Sequence, residues 1–567
     1  MSESAHIGKA DENMAHDEDA AINRVADNLD STEPSSLAVE DLDNSAAPQT
    51  PSTDFLAEFI ATENPRDAIG VWLRGMGRTE KPATVRLLVR TLNQDIARID
   101  QLLTEQVNAI IHHPTFQKLE ASWRGLSYMV RQAGEDEHSD VKIKVLNASW
   151  SELQRDVRRS NNTFDATTLF RLVYEGEFGL AGGQPFGALI GDYEICHKPS
   201  SEHPTNDLEI LESIAQVAAA SFAPFITGTS PELLGLDHYG QLERGIDIDQ
   251  LFRGPDYVAW RRFRESPDAQ FVGLVLPHVL MRNPYKKRSV SVRRHRCVDC
   301  KYSLPTDSVS QCPACGVSLA RRSGKGIATE YLGFCFEEDV SGPTAERYLW
   351  GNAAYAFGAV LIRSFQDCAW FADIRGFNRD LAEGGLVTGL PVEHFGTDSF
   401  GVAPKMSVDV AISDMSEKDF GAAGLIPLSH CHDTEFCAFF SNWSVHQPKK
   451  YDEASATLNA RISAMLQYVM CVSRFAHYLK VQMRDRVGSS SEALELQDRL
   501  TNWIYDYVTT DDHASPETKA KYPLQKAAVE VTPLPGAPGK YQCTMQLWPH
   551  YQLDELRMSV QMKTKLL

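Results

Sequence analysis

The stretch CVDCKYSLPTDSVSQCPACG, residues 297–316, sets Cys297 and Cys300 against Cys312 and Cys315 as two C-x-x-C pairs eleven residues apart. Each pair can turn two thiolates toward a common centre, and four thiolates make the closed tetrahedral cage that structural Zn²⁺ prefers. One structural Zn²⁺ per chain is therefore the expected cofactor. Four ordinary buried cysteines, or iron in the same sulfur cage, are the alternatives. Catalytic zinc is disfavoured, because four protein sulfurs leave no open position. Basic residues crowd the motif: Lys286, Lys287, Arg288, Arg293, Arg294, Arg296, Lys301, Arg321, Arg322 and Lys325. Such a patch can attract nucleic-acid phosphates. It can equally offset the formal −2 charge of a zinc tetrathiolate, and only Tyr302 offers an aromatic platform for a base, so nucleic acid is the lesser reading.

Other chemistry-bearing patterns are weaker. SHCHDTEFC, residues 429–437, brings His430, Cys431, His432 and Cys437 together in sequence. A second metal site is one reading and a polar turn between apolar runs the plainer one. GLAGGQPFG (179–187), SGKG (323–326) and PGK (538–540) all lack the glycine spacing of a dinucleotide fold or a P-loop. H-E-x-x-H and G-x-S-x-G do not occur. No motif supports an enzyme.

The elements that must carry these residues read as a mixed α/β chain. From Val85, apolar residues at Leu88, Leu92, Ile96, Ile99, Leu103, Val107 and Ile110 follow steps of three and four, predicting one long helix. A second helix is expected after Pro114, with Phe116, Leu119, Trp123 and Leu126 on its inner face; both helices need a partner surface. Val141, Ile143 and Val145 alternate like a half-buried strand, and FGALIG (186–191) and FVGLVL (271–276) suit buried strands. Residues 208–223 and 459–486 read as helices, and residues 541–547 and 556–562 as closing strands.

Composition bounds the class. The 567 residues carry a net charge of −20, with 43% hydrophobic content, enough for real cores. Residues 1–50 hold twelve acidic and two basic residues and no aromatic one, predicting an arm disordered on its own that could order on a neighbour. No apolar run reaches the ~18 residues of a membrane span. The eleven cysteines, seven of them scattered singly, suit reduced thiols, so the cytoplasm is the expected compartment.

Six blocks, in order, carry a resemblance: HHPTFQKLEASWRGLSYMV (112–130), PFGALIGDYEI (185–195), LPHVLMRNPY (276–285), YLWGNAAYAF (348–357), SRFAHYLKVQMRDRVGS (473–489) and LWPHYQLDEL (547–556). Together they resemble the large subunit of the type VI secretion contractile sheath, the TssC or VipB family, collinearly over most of residues 80–563. The resemblance implies a structural subunit. It would pair with a small sheath subunit and stack with copies of itself as a helical cytoplasmic sheath on a baseplate, around an inner tube. Contraction would expel the tube with its effectors, and a Clp-type AAA+ unfoldase would recycle the spent sheath.

Two departures stand out. His278 occupies a position where the resembling proteins usually carry arginine, which puts that arginine's salt bridge in doubt. About forty extra residues, including the cysteine motif, separate MRNPY from FCFEEDV (334–340). The expected organisation is an acidic arm and linker (1–55), a helical region (56–130), an α/β sheath domain in two parts (131–285 and 330–567) and a zinc-ribbon insertion (286–329). Arg474, Lys480, Arg484 and Arg486 make one helix basic and are the candidate contact with the inner tube. Met545, Leu547, Met558 and Val560 are the candidate register residues for strand exchange between subunits. A zinc-dependent nucleic-acid-binding regulator is the alternative reading of the whole chain.

Overall fold

The computed structural model describes residues 53–75, 85–134, 141–286 except 181, 201 and 202, 293–297, 303–304, 312, 314–315, 327–331, 334, 336–376 except 343 and 344, 383–394, 405–484 except 433, 493–533 except 512, and 541–550. The expected arm therefore lies outside the described residues. Two compact units meet in sequence at Asp95 and Ile96. The first holds helices α1 (Thr53–Ala61) and α2 (Pro65–Gly75), joined by a 3.0 Å ion pair between Arg74 and Glu58. Helices α3 (Val85–Ile111) and α4 (Pro114–Ala133) follow, with the break at Pro114, whose missing N–H suits a helix start.

The second unit is built on strands β1 (Leu189–Ile195), β2 (Phe225–Thr229), β3 (Val272–Leu276), β4 (Val279–Arg282), β5 (Arg293–Cys297), β6 (Ser303–Leu304), β7 (Ile327–Tyr331) and β8 (Leu349–Gly351). They are followed by β9 (Leu386–Val387), β10 (Glu393–His394), β11 (Lys405–Met406), β12 (Ile426–His430), β13 (Cys437–Phe439), β14 (Leu524–Pro533) and β15 (Tyr541–Pro549). Six form the central sheet in the order β1-β2-β3-β12-β13-β9, the first four parallel and the last two antiparallel. Helix α5 (Asp207–Ser221) links β1 to β2, the connection a parallel pair requires. Successive residues of the strands enter different cores: Phe225 and Leu274 join α5 on one face, while Ile226 and Val275 join α6 (Ala354–Cys368) on the other. Every position of β2 and β3 is buried, which is why β3 reads as an unbroken apolar run; β2, with Thr227 and Thr229, was missed from sequence.

Several sequence expectations shift. The strand within 186–191 begins later, at Leu189, and continues through the DYEI block. Val141 and Ile143 do pack against the core, but residues 141–149 form no strand among the described residues. The helix expected over 459–486 is two, α7 (Ala454–Ser463) and α8 (Leu466–Arg484). A third core follows them, in which Trp370 stacks on Phe475 at 4.3 Å and α9 (Ala493–Tyr505) packs on β14. Among the described residues no helix is long and apolar enough to cross a membrane.

Candidate functional site

The sequence blocks converge in space. Ser122 of the SWRGL segment hydrogen-bonds Asp192 of β1, and Tyr355 of α6 also donates to that carboxylate. Burial pushes the Asp192 carboxyl upward, and these hydrogen bonds work against the push. Beside them Gly125 lets α4 approach α6 closely, since a Cβ there would lie 2.3 Å from the Tyr355 ring. Asn352 ties the same helix to the sheet: its Nδ2 donates to the Tyr193 carbonyl at 2.8 Å while its Oδ1 accepts from the Ala354 N–H at 2.8 Å.

Two charge clusters, the first open to solvent at Glu194, extend this junction. His278, just before β4, places Nε2 3.1 Å from Glu194 and Nδ1 3.1 Å from Asp409. Burial opposes its charge, but the two carboxylates prevail and lift the imidazole to about 10. The same imidazolium holds Glu194 below its ordinary range against the pull of burial, whereas burial keeps Asp409 raised. At the position that sequence marked as a departure, His278 thus has two carboxylate partners. Arg282 donates from Nε to Glu120 at 2.9 Å and from Nη2 to Glu338 at 3.2 Å, and His112 lies 3.2 Å from Glu338. Its guanidinium also stacks 4.3 Å from the Tyr285 ring centre.

The outside of the α3–α4 pair is unlike its inside. The structure turns Ala121, Gly125, Tyr128 and Met129 inward, and Phe116, Leu119 and Trp123 outward, with Trp123 65% exposed. This reverses the expectation for those three, because the close approach to α6 at Gly125 selects the other stripe, whereas Leu126, the fourth residue expected inside, does pack against the core. On α3, Ile96, Ile99, Leu103 and Ile110 are exposed as well. Exposed aliphatic and aromatic side chains thus recur along both helices, the kind of apolar surface that often marks an interaction site.

At the chain's other end β14 and β15 form an antiparallel ribbon, Ala527 opposite Leu547 and Val529 opposite Met545. Met545 and Leu547 lean on the third core, partly buried. Strand β14 was missed from sequence, although Ala527, Val529 and Val531 alternate inward. Met558 and Val560 lie outside the described residues. Among those residues the ribbon has no third strand.

The basic residues of α8 meet rings and carbonyls. Arg474 lies 5.3 Å from the Phe365 ring centre and bonds the Tyr478 hydroxyl at 3.0 Å. Lys480 sits 3.5 Å from the centre of Phe178, and Arg484 donates to the Leu180 carbonyl. Burial, with Arg484 nearby, lowers the Lys480 pKa. Among the described residues no carboxylate pairs with Lys480 or Arg484, and Arg486 lies outside them.

Of the motif cysteines, Cys297 ends β5, Cys312 is 1% exposed, Cys315 is exposed on a turn and Cys300 is outside the described residues. Among the described residues no three His, Cys, Asp or Glu side chains are arranged to hold a metal, and at residues 429–437 the structure has the polar turn that was the plainer reading. That segment is the turn from β12 to β13, closed by the Cys431 N–H on the Phe436 carbonyl at 3.0 Å.

Comparison with known proteins gives concordant matches. The family profile described as EvpB/VC_A0108, tail sheath N-terminal domain, matches residues 93–301 and 317–446, and that of the EvpB/VC_A0108, tail sheath gpW/gp25-like domain, matches residues 455–566. The type VI secretion system sheath protein TssC1 of Pseudomonas aeruginosa is 36% identical over 510 residues, covering 89% of this chain and 92% of that protein. A chain in the cryo-EM structure of the anti-feeding prophage baseplate aligns with a TM-score of 0.31 and 8% identity, over 63% of this chain and 66% of that one, a likeness too slight to bear on the fold.

Proposed function

The chain belongs to the EvpB/VC_A0108 (VipB, TssC) tail-sheath family of type VI secretion systems, a family of structural proteins, and from that premise we propose that it is the large subunit of a cytoplasmic contractile sheath. It pairs with a small sheath subunit, the pairs stack helically on a baseplate around an inner tube, and contraction drives the tube outward with its effectors. A Clp-type AAA+ unfoldase then recycles the sheath.

The observation that carries this reading is the outward apolar face of α3 and α4. Ile99, Leu103, Leu119 and Trp123 are exposed on these two helices. Covering such a face stabilises association by roughly 25 cal/mol per Å² of apolar area removed from water. The small subunit is the proposed cover. The test is co-expression of the two chains, with tubules sought by sedimentation and electron microscopy. Ile99→Glu with Trp123→Glu is expected to abolish co-purification of the small subunit while the variant keeps its far-ultraviolet circular dichroism and thermal midpoint. Undiminished co-purification would remove this face from the heterodimer.

Two further contacts complete the proposal. Among the described residues the ribbon has two strands, and its edge would take another subunit's strand, which main-chain hydrogen bonds hold and alternate side chains, Met545 and Leu547 in β15 and Met558 and Val560 beyond it, keep in register. The half-buried cations Lys480 and Arg484, lacking carboxylate partners among the described residues, suit an acidic inner-tube surface, with Arg474 and Arg486 flanking them in sequence.

A further inference from the structure

The cysteine-rich insertion is not accounted for by the sheath reading. Its two ends leave the body at one place. The Tyr285 N–H donates to the Glu338 carboxylate at 2.9 Å, the Glu338 N–H donates to the Tyr285 carbonyl at 2.8 Å, and Glu338 is itself held by Arg282. Beyond this foot the backbone forms a three-stranded antiparallel sheet in the order β6-β5-β7. Arg296 stands opposite Ser303, so residues 297–302, which carry the first C-x-x-C pair, join two paired strands. Cys297 stands opposite Ile327 at the far end of the β5–β7 pairing, which extends to Tyr331, two residues past the boundary expected from sequence. The excursion between β6 and β7 returns to the same sheet and carries the second pair. Within that excursion Cys312 is almost wholly removed from solvent, while Cys315 stands at the surface.

Hydrophobic burial does not explain this arrangement. Residues 286–331 contain no Phe or Trp, and a segment of this size needs a staple besides its own apolar side chains. The tail-sheath profile also breaks off at residue 301 and resumes at 317, so the stretch holding Cys312 and Cys315 has no counterpart in the family pattern. The staple has to be local. A sheet whose two connections, β5 to β6 and β6 to β7, each carry one C-x-x-C pair is a backbone plan on which four thiolates can close around one tetrahedral metal. The flanking Arg293, Arg294 and Arg296 supply positive charge for the resulting dianion.

We infer that Cys297, Cys300, Cys312 and Cys315 together bind one Zn²⁺, and that this metal folds the insertion without contributing to the sheath body. The inference is independent of sheath assembly and is read on the isolated full-length chain. Protein purified without chelators or metal-affinity resin is expected to contain one zinc per chain by elemental mass spectrometry. Titration with a mercurial is expected to release that zinc as four thiols react, and peptide mapping should identify them as these four. Cys297→Ser with Cys300→Ser should remove the zinc and open residues 286–331 to rapid proteolysis, with the thermal midpoint of the body unchanged. Zinc-free protein whose four thiols alkylate freely would overturn the inference, and so would iron at stoichiometric occupancy or zinc retained in the double variant. Should the double variant fail to fold, the mercurial titration of the unaltered chain decides the matter alone.

Discussion

His278 shows how two carboxylates can hold a charge on a histidine. Its imidazole is lifted to about 10 in the folded subunit, against about 6.5 for an unfolded histidine. A raised folded value stabilises fully below the unfolded value and is lost as pH climbs through the folded one. The His278 contribution should therefore be complete below about pH 6.5, shrink through the alkaline range and vanish above about 10. His278→Arg, which restores the cation that resembling proteins carry, should hold its charge throughout that window. The expected result is a thermal midpoint gap between variant and parent that widens between pH 7 and pH 10; parallel profiles would show that the histidine is uncharged in the fold. Glu338 is the second test at this scale. Its side chain is 1% exposed and that of its partner Arg282 is 7% exposed, so Glu338→Gln leaves a buried guanidinium short of its counter-charge. A loss of about 3 kcal/mol in chemical denaturation is expected, and a change under about 0.5 kcal/mol would mean that water or Glu120 compensates. Sequence marked His278 as a departure, but the partners Glu194 and Asp409 lie 84 and 131 residues away, beyond the reach of any local pattern.

Helix α4 shows what periodicity reveals and what it conceals. Its start at Pro114 and its helical character were legible, because apolar residues recur at steps of three and four. Which stripe faces inward was not, since α4 has two: a large apolar one and a small-residue one. The close approach of Gly125 to Tyr355 settles the choice, and one methyl group tests it. Gly125→Ala should cost about 1–3 kcal/mol through overpacking, despite alanine's better helix propensity, and an unchanged or raised denaturation midpoint would show that the ring can yield. At the C-terminal ribbon, β14 escaped notice because its inward residues Ala527, Val529 and Val531 are small and are interleaved with Lys526, Glu530 and Thr532. Helix α8 carries the remaining test at this scale. Lys480→Met keeps an apolar contact with Phe178 and removes the charge, so tube retention by assembled sheaths should fall, most sharply at low salt. Retention equal to that of the parent at every salt concentration would confine Lys480 to the subunit's own packing.

For the whole molecule, the architecture was legible in proportion to how local its signals were. Strand β3, helix α3 and the start of α4 announced themselves through local periodicity. The convergence of blocks far apart in the chain, which places Ser122, Asp192 and Tyr355 in one hydrogen-bonded group, needed three dimensions. Truncation after His550 probes the assembly directly. The His550 N–H bonds the Pro523 carbonyl at 3.0 Å and its carbonyl accepts from Tyr468, so the described body should stay folded without residues 551–567. Soluble heterodimers without tubules are the expected outcome, whereas tubules of normal length would remove strand exchange beyond His550 from the assembly. The paired feet at Tyr285 and Glu338 carry a further consequence. Because the chain departs and returns at one point, the body is almost indifferent to how much polypeptide lies between: doubling the length of such an excursion costs only about 0.6 kcal/mol in closure entropy. The foot therefore works as a port in the scaffold, where modules of quite different size can be exchanged. A fluorescent domain or an affinity peptide set there in place of the cysteine module should leave the body's thermal midpoint where it is.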